Sequence, residues 1–532
     1  MTDFDYDFLV VGSGFGGSVS ALRLTEKGYK VLVVEKGREF KGKDFPKTNW
    51  NLPKWLWMPR LGFRGPFKMT MFRHLSIFSG VGVGGGSLVY ANTLPIPKSQ
   101  FFKASSWSHL NNNWEESLKP HYSMARKMLG AVQNKYFNKT DEIMKEIATD
   151  IGKEEHFEPT YVSVFQGEAG KTVPDPYFDG EGPDRTGCIQ CGACMIGCPH
   201  NAKNTLDKNY LYLARSKGLT IQAETEVINF SSLPGGGFSV STRSSKKWRK
   251  NKVSVIRARK VVLAGGVLGT VPLLLRMKAQ NYLPNLSARL GNFVRTNNES
   301  ILGVISEERG ADFSKGIAIS SIINTDEHSH IEPVRYNEGS SFFRLLLAPH
   351  GPGRNFASRF QAATRRFLLH PKRWLKVAFG PEFSKRVQIL LYMRSLEGTM
   401  TFQWGRGLLT AGTPGMVSKL DANTQKPTSF MPQATDLAER FAKKTDGIIG
   451  NLFTETAFNI PTTAHILGGC CMGEDKDDGV INHKHQVFGY EDLYVVDGSS
   501  VSANPGVNPS LTITALAERA MSFVPPKSGA TT

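Results

Sequence analysis

Apolar residues run unbroken from Phe8 to Val11, give way to the turn Gly12-Ser13-Gly14-Phe15-Gly16-Gly17, and resume at helical spacing as far as Lys27. A second apolar run, Val31 to Val34, then ends on the acid Glu35. Strand, glycine turn, helix, strand and acid in that order predict a dinucleotide grip. Gly12 permits the tight turn, Gly14 lets the main chain approach a pyrophosphate, Gly17 brings helix and strand together, and the helix N-terminus faces the phosphates. Glu35 can accept hydrogen bonds from ribose hydroxyls and would repel a 2′-phosphate, which argues against NADP.

The same pattern returns much later. Lys260 to Gly266 predicts a buried parallel strand running into glycines, followed by the apolar helix Val271 to Met277. Asp492 to Gly498 predicts a short strand ending on Asp497, and Gly506-Val507-Asn508-Pro509-Ser510 opens a helix over Leu511 to Ser522. The N-terminal dipole of that helix points at whatever precedes it. Pieces of one nucleotide-binding sheet are thus spread along the chain, with the rest inserted between them. Between Ser79 and Ser87 the sequence is rich in glycine, with apolar Phe78, Val81, Val83 and Leu88 alongside. Glycines packed this closely cost backbone entropy, so a buried loop pressed against a ligand is expected rather than a flexible linker.

A chain of 532 residues exceeds what one core usually supports, so two or more domains are expected. It starts almost directly on the first strand, leaving no room for a cleavable signal, and no apolar run is long enough to cross a bilayer; a cytoplasmic protein is expected. The net charge of +18 is concentrated in part in Arg354, Arg359, Arg365, Arg366, Lys372, Arg373, Lys376, Lys385, Arg386 and Arg394, a stretch whose one acid is Glu382. Phe356, Phe360, Phe367, Leu368, Leu369, Trp374 and Leu375 are interleaved with these cations. That mixture suits peripheral contact with an anionic membrane at its inner face in the cell; the alternative is an amphipathic helix with a solvated basic face. Nucleic acid is excluded as a partner because no recognition motif accompanies the charge. A second basic run, Lys246 to Lys252, reads as a hairpin tip.

Four of the six cysteines form the run Cys188-x-x-Cys191-x-x-Cys194-x-x-x-Cys198-Pro199. This is the spacing of bacterial ferredoxin ligands, although the fourth cysteine of such a run serves another cluster in ferredoxins. Three states stay open: an iron-sulfur cluster, structural zinc, or unmetallated thiols. A cluster would pass electrons to a carrier, whereas without one oxygen is the expected acceptor. Cys470 and Cys471 read as small buried hydrophobes.

The blocks Gly12 to Ser18, Gly82 to Leu88, Ala464-His465-Ile466-Leu467-Gly468-Gly469, and Leu493 through Asn508 to Arg519 together resemble the glucose-methanol-choline (GMC) flavoprotein oxidoreductases. Within that family the chain is most similar to bacterial cholesterol oxidases with non-covalent FAD. The resemblance implies an α/β fold in which a discontinuous FAD-binding Rossmann-like domain (1–40, 200–300 and 482–525) carries an inserted α+β substrate-binding domain. The insert would cover 41–199, with the cysteine-rich segment 187–199, and 301–481; 526–532 would be a flexible tail. It further implies that Gly12, Gly14, Phe15, Gly16, Gly17 and Glu35 hold the ADP half of FAD. Gly84, Gly85, Gly86 and Ser87 would lie along the isoalloxazine, and Asp497 and Gly498 would reach the ribityl and pyrophosphate region. Tyr90 stands where cholesterol oxidases tend to have Asn, so the flavin-loop contact is expected either at Asn92 or to be lost.

The expected chemistry is oxidation of a sterol hydroxyl, or that of another apolar alcohol, with hydride transfer to flavin. His465 is the candidate base, since imidazole titrates near the working pH. Asn508 would donate to the substrate oxygen, with the helix after Pro509 placing its positive dipole near the flavin. Glu332, in His330-Ile331-Glu332-Pro333-Val334-Arg335, matches the carboxylate that moves a proton to convert a 5-ene to a 4-ene ketone; the alternative is an ion pair with Arg335. Two rival functions remain: a dehydrogenase for another bulky or long-chain alcohol that passes electrons through an iron-sulfur cluster, and a lyase with structural FAD.

Overall fold

A computed structural model describes residues 3–246, 252–308, 310–421 and 427–529. Most of the basic tip between Lys246 and Lys252, and the end of the expected tail, lie outside the described residues. Two sheets dominate. In the first, strands Thr220–Gln222, Val31–Val34, Tyr6–Val11 and Val253–Leu263 lie side by side in that order and run parallel, with Tyr490–Val495 paired to Val253–Leu263 on its C-terminal half. The N-terminal half of Val253–Leu263 pairs antiparallel with Phe238–Ser244, which continues to Thr225–Ser232. The parallel strands are apolar without alternation, as burial on both faces requires. Their C-terminal ends deliver Gly12, Glu35, Ala264 and Asp497 to one edge, where open α/β sheets bind ligands.

Helix Phe15–Glu26 is buried along nearly its whole length, and it packs on the C-terminal helix Ser510–Ser522. Two inserted segments join this half of the molecule. Helix Trp114–Met128 packs against Ser510–Ser522, and the hairpin Thr399–Gly405 with Gly415–Leu420 packs against helix Val267–Ala279. Their side chains Trp114, Leu118, Met400 and Phe402 belong to the nucleotide-domain core.

The second sheet has seven antiparallel strands in the order Leu347–Pro349, Gly447–Leu452, Ser300–Ser306, Val387–Arg394, Ser329–Val334, Ser321–Asn324 and Phe157–Pro159. Side chains alternate between its faces with period two. Leu302, Val304, Ile331, Leu390 and Tyr392 meet helices Lys139–Asp150 and Pro432–Lys444 through Ile143, Ile147, Leu437 and Phe441. The opposite face, with Ile301, Val334, Ile389 and Leu391, fronts a cavity that continues into the nucleotide cleft.

Candidate active site

One cavity of about 650 Å³ runs from the glycine turn to the second sheet. The sequence explains its nucleotide end through four glycines with different surroundings. A Cβ on Gly12 would stand 2.4 Å from the Ala264 carbonyl oxygen, one on Gly16 1.8 Å from that of Val496, and one on Gly17 2.1 Å from that of Gly12. These three are closed by backbone. Gly14 is the exception: nothing lies within 4 Å of its missing Cβ, and it lines the cavity. The later glycine loop presses on this turn, since a Cβ on Gly85 would come within 2.6 Å of Gly14 Cα. Glu35 is held by the Ser13 N–H (3.1 Å), the Ser13 hydroxyl (2.9 Å) and the Gly37 N–H (2.8 Å), so its carboxylate is oriented at the cavity edge. At the far wall Asp497 accepts from Ser499 N–H and Oγ, Gly266 N–H and Thr270 Oγ1; burial nevertheless pushes its carboxyl above the ordinary value. An open cradle at Gly14 flanked by an acid and a helix N-terminus fits the dinucleotide of FAD.

Gly12, Gly14, Phe15, Gly16, Glu35, Gly85, Gly86, Asp497, Gly498, Asn508, Pro509 and His465 all line this cavity. Gly17, Gly84, Ser87, Asn92 and Glu332 stand behind its wall. Ser87 Oγ donates to the Gly84 carbonyl at 2.7 Å and accepts from the Leu206 N–H at 3.1 Å, so it braces the loop instead of facing the ligand. Asn92 is fully buried in a left-handed conformation (φ 63°), and its neighbours Ala91 and Thr93 face the cavity in its place. Tyr90 also lines the cavity, its ring edge-on to Phe15 at 5.5 Å.

Where the two halves meet, His465 is enclosed by a polar chain. Its Nδ1 lies 2.9 Å from Glu299 Oε2, and Thr463 Oγ1 donates to the other Glu299 oxygen. Its Nε2 lies 3.4 Å from the Asn508 amide. With its amino group turned to Glu332, that amide donates to Oε1 at 3.0 Å and Oε2 at 3.2 Å; amide orientation follows from the partners it satisfies. His330 Nε2, fully buried, stands 3.5 Å from Glu332 Oε1. Burial opposes the imidazolium, but the charge and hydrogen bond of Glu299, with the charge of Glu332, leave His465 above its ordinary value. Glu299 was not expected from the sequence, where it is one acid in Thr296-Asn297-Asn298-Glu299-Ser300 with no motif around it.

The alternative Glu332–Arg335 ion pair is not formed. Three residues apart on one strand direction, the two side chains leave on opposite sides, and Arg335 donates instead to the Lys315 carbonyl and Ser320 Oγ, both at 3.0 Å.

The four clustered cysteines share one small cavity beside Lys203. Among the described residues, however, no group of three or more His, Cys, Asp or Glu side chains is arranged to hold a metal ion. Burial pushes the Cys188 thiol up to about 12 and the Cys191 thiol to about 11. None of the four is in a disulfide; Cys188, Cys194 and Cys198 pack with Val162, Val164 and Ile317, and Cys191 packs with Trp55 and Ile196. Cys470 and Cys471 are buried, as small hydrophobes would be.

Fold and site define a flavin-dependent oxidoreductase with an apolar substrate chamber. The GMC oxidoreductase family matches at residues 180–291 and 406–517, and an FAD binding domain matches at 7–50. A cholesterol oxidase of Acinetobacter baumannii is 43% identical over 99% of this chain and 96% of its own length. One of Mycobacterium tuberculosis is 45% identical over 98% and 92%. The chain belongs to the GMC oxidoreductase family and is an FAD-dependent enzyme acting on CH–OH donors. A pyridoxine 4-oxidase from Mesorbium loti, 15% identical, shares the fold with a TM-score of 0.62 over 97% of this chain and 99% of that one.

Proposed function

We propose that the protein oxidises the 3β-hydroxyl of a cholesterol-like sterol to the ketone, with oxygen as the final acceptor. The observation that carries this reading is the continuity of the nucleotide cleft with an apolar chamber whose junction holds His465 and Asn508. The chamber is floored by Ile301, Val334, Ile389 and Leu391 and walled by Tyr336, Phe343 and Phe383. Such a surface suits a rigid hydrocarbon with one hydroxyl, and the similarity to cholesterol oxidases supports the same substrate class. Bound at Gly14, Glu35 and Asp497, FAD would supply the hydride acceptor. His465 takes the hydroxyl proton at Nε2. With its amino group on Glu332, Asn508 turns its oxygen to Nε2, where it can accept from the imidazolium that forms. The similarity to cholesterol oxidases supports oxygen as the acceptor. Anaerobic mixing with cholesterol should bleach the flavin absorbance; product formed while the flavin stays yellow would instead indicate a lyase.

We assign isomerisation to Glu332, which would remove the C4 proton of the 5-ene-3-one and return it at C6. Glu332→Gln should keep flavin reduction within about threefold of wild type, because an amide can still pair with Asn508, and abolish the conjugated ketone absorbance. Enone formation at the wild-type rate removes Glu332 from this role.

The sterol is drawn from a lipid surface in this reading. Among the described residues no helix is long and apolar enough to cross a membrane. Helix Phe356–Leu369, however, exposes Phe356, Phe360 and Leu368 at i, i+4 and i+12, and Pro371–Phe379 exposes Leu375 and Phe379. Exposed cations Arg365, Lys372 and Lys376 border these apolar stripes. Arg359 departs from the expected basic face: it is fully buried and donates to the Glu455 carbonyl, and burial raises the Glu455 carboxyl to about 8. Each surface cation contributes about 1 kcal/mol toward anionic lipid. Binding to vesicles containing phosphatidylserine should therefore exceed binding to neutral vesicles, weaken with salt, and drop in Phe360→Asp with Leu368→Asp. Equal binding to both vesicle types would contradict the proposal.

A further inference from the structure

Glu299 precedes strand Ser300–Ser306 and is separated from His465 by 166 residues, yet the two side chains close on each other with almost no exposure, 1% and 11%. A carboxylate can only accept, so the 2.9 Å contact requires a proton on Nδ1. The Thr463 hydroxyl fixes the geometry from both ends: it accepts from the His465 N–H at 2.8 Å and donates to Glu299 Oε1. The remaining nitrogen, Nε2, is turned to Asn508 and the cavity. When the Asn508 amino group is on Glu332, its oxygen faces Nε2, so an imidazolium has an acceptor at each nitrogen. The proton at Nδ1 is held by a charge and that at Nε2 by a neutral amide 3.4 Å away, so deprotonation empties Nε2.

We propose that Glu299 is a positioning residue that fixes the Nδ1–H form of His465, presents Nε2 to the substrate hydroxyl, and supplies the counter-charge for the imidazolium formed there. The inference rests on the reading of His465 as the proton acceptor. In the step concerned the alcohol O–H bond breaks and an N–H bond forms at Nε2, while the carbon loses a hydride to FAD. The positive charge created on the ring is met by the Glu299 carboxylate at Nδ1. The arrangement parallels the acid that orients the histidine of a hydrolytic triad, where losing the carboxylate leaves the wrong tautomer and a drop of about 10⁴-fold.

The charged groups bearing on His465 are Glu299 at Nδ1 and Glu332 beyond Asn508, with His330 behind the latter. Both carboxylates raise the basicity that burial lowers. Removing Glu299's charge leaves the burial in place, so the imidazole must titrate at lower pH.

Anaerobic flavin reduction by cholesterol, measured against pH in Glu299→Gln, should be at least about 10²-fold slower than wild type with its acid limb displaced to lower pH. Glu299→Asp retains the charge on a shorter arm and should keep the wild-type limb at a reduced rate. ¹⁵N-histidine spectra of the resting holoenzyme should show the Nδ1–H form in wild type and Glu299→Asp, independently of turnover. An acid limb unchanged in Glu299→Gln, or an Nε2–H resting form in the wild type, overturns the proposal. If Glu299→Gln does not retain FAD, Glu299→Asp and the spectra decide. His465→Gln reducing flavin at the wild-type rate would instead refute the reading of His465 itself.

Discussion

Replacing His465 with Ala is expected to slow reduction of bound FAD by a sterol about 10²- to 10⁴-fold while FAD stays bound. The cofactor should remain because the glycine turn, Glu35 and Asp497 make no hydrogen bond to the imidazole. Alanine also leaves Glu299 buried without its partner, and breaking a buried pair can cost about 3–5 kcal/mol. His465→Gln separates the two effects, since its amide can still donate to Glu299. Comparable rate loss in both variants assigns the defect to the missing proton acceptor and not to unfolding. The pH profile gives an independent check. Catalysis needs the neutral ring, and the folded value of His465 lies above the ordinary 6.5, so the wild-type rate should fall as pH drops through a value above 6.5. That limb should be missing from the residual rate of either variant. Stopped-flow absorbance of the flavin measures all of this, and a rate within threefold of wild type in both variants would end the role.

The nucleotide half of the site was legible because its chemistry is local in sequence. Turn, helix and acid lie within Gly12 to Glu35, although only Gly17 closes on the turn itself: Gly12 and Gly16 meet the backbone of Ala264 and Val496, and Gly14 is open to the cavity. The substrate half is different. Glu299 reaches His465 through the pairing of distant strands: Thr462–Thr463 lies against Ser76–Gly80, and Ser300–Ser306 lies inside the second sheet between Gly447–Leu452 and Val387–Arg394. No spacing rule connects those segments. The misjudged details share a cause, since each depended on the direction of a side chain. Period two sends Arg335 away from Glu332. A buried helix face removes Arg359 from the basic surface, and a bond to its own loop turns Ser87 from the ligand. At the cysteines, ligation requires a common point for the sulfurs, which spacing alone does not supply.

Gly14→Ala and Gly16→Ala are expected to fail in opposite ways, although both alter the same turn. At Gly16 the new methyl would sit 1.8 Å from the Val496 oxygen and 2.7 Å from its carbonyl carbon. Both are backbone atoms, so no rotamer change relieves the clash, and helix Phe15–Glu26 would have to lift from the strand that leads to Asp497. Overpacking of this kind costs about 1–3 kcal/mol or more. The apoprotein should accordingly melt lower and express less as soluble material. At Gly14 the backbone (φ −71°, ψ −166°) suits alanine, and a Cβ has nothing within 4 Å. Apoprotein stability should stay within about 0.5 kcal/mol of wild type, as for an uncontacted surface substitution. The methyl would nevertheless occupy the space through which a pyrophosphate reaches the N–H groups of the helix N-terminus. FAD affinity should fall about 10²-fold, near 2.7 kcal/mol. Thermal melts of both apoproteins and a flavin fluorescence titration distinguish the two cases. Wild-type FAD affinity in Gly14→Ala would show that the phosphates bind elsewhere, and an unchanged melt in Gly16→Ala would mean that the helix and the Val496 strand are not in contact.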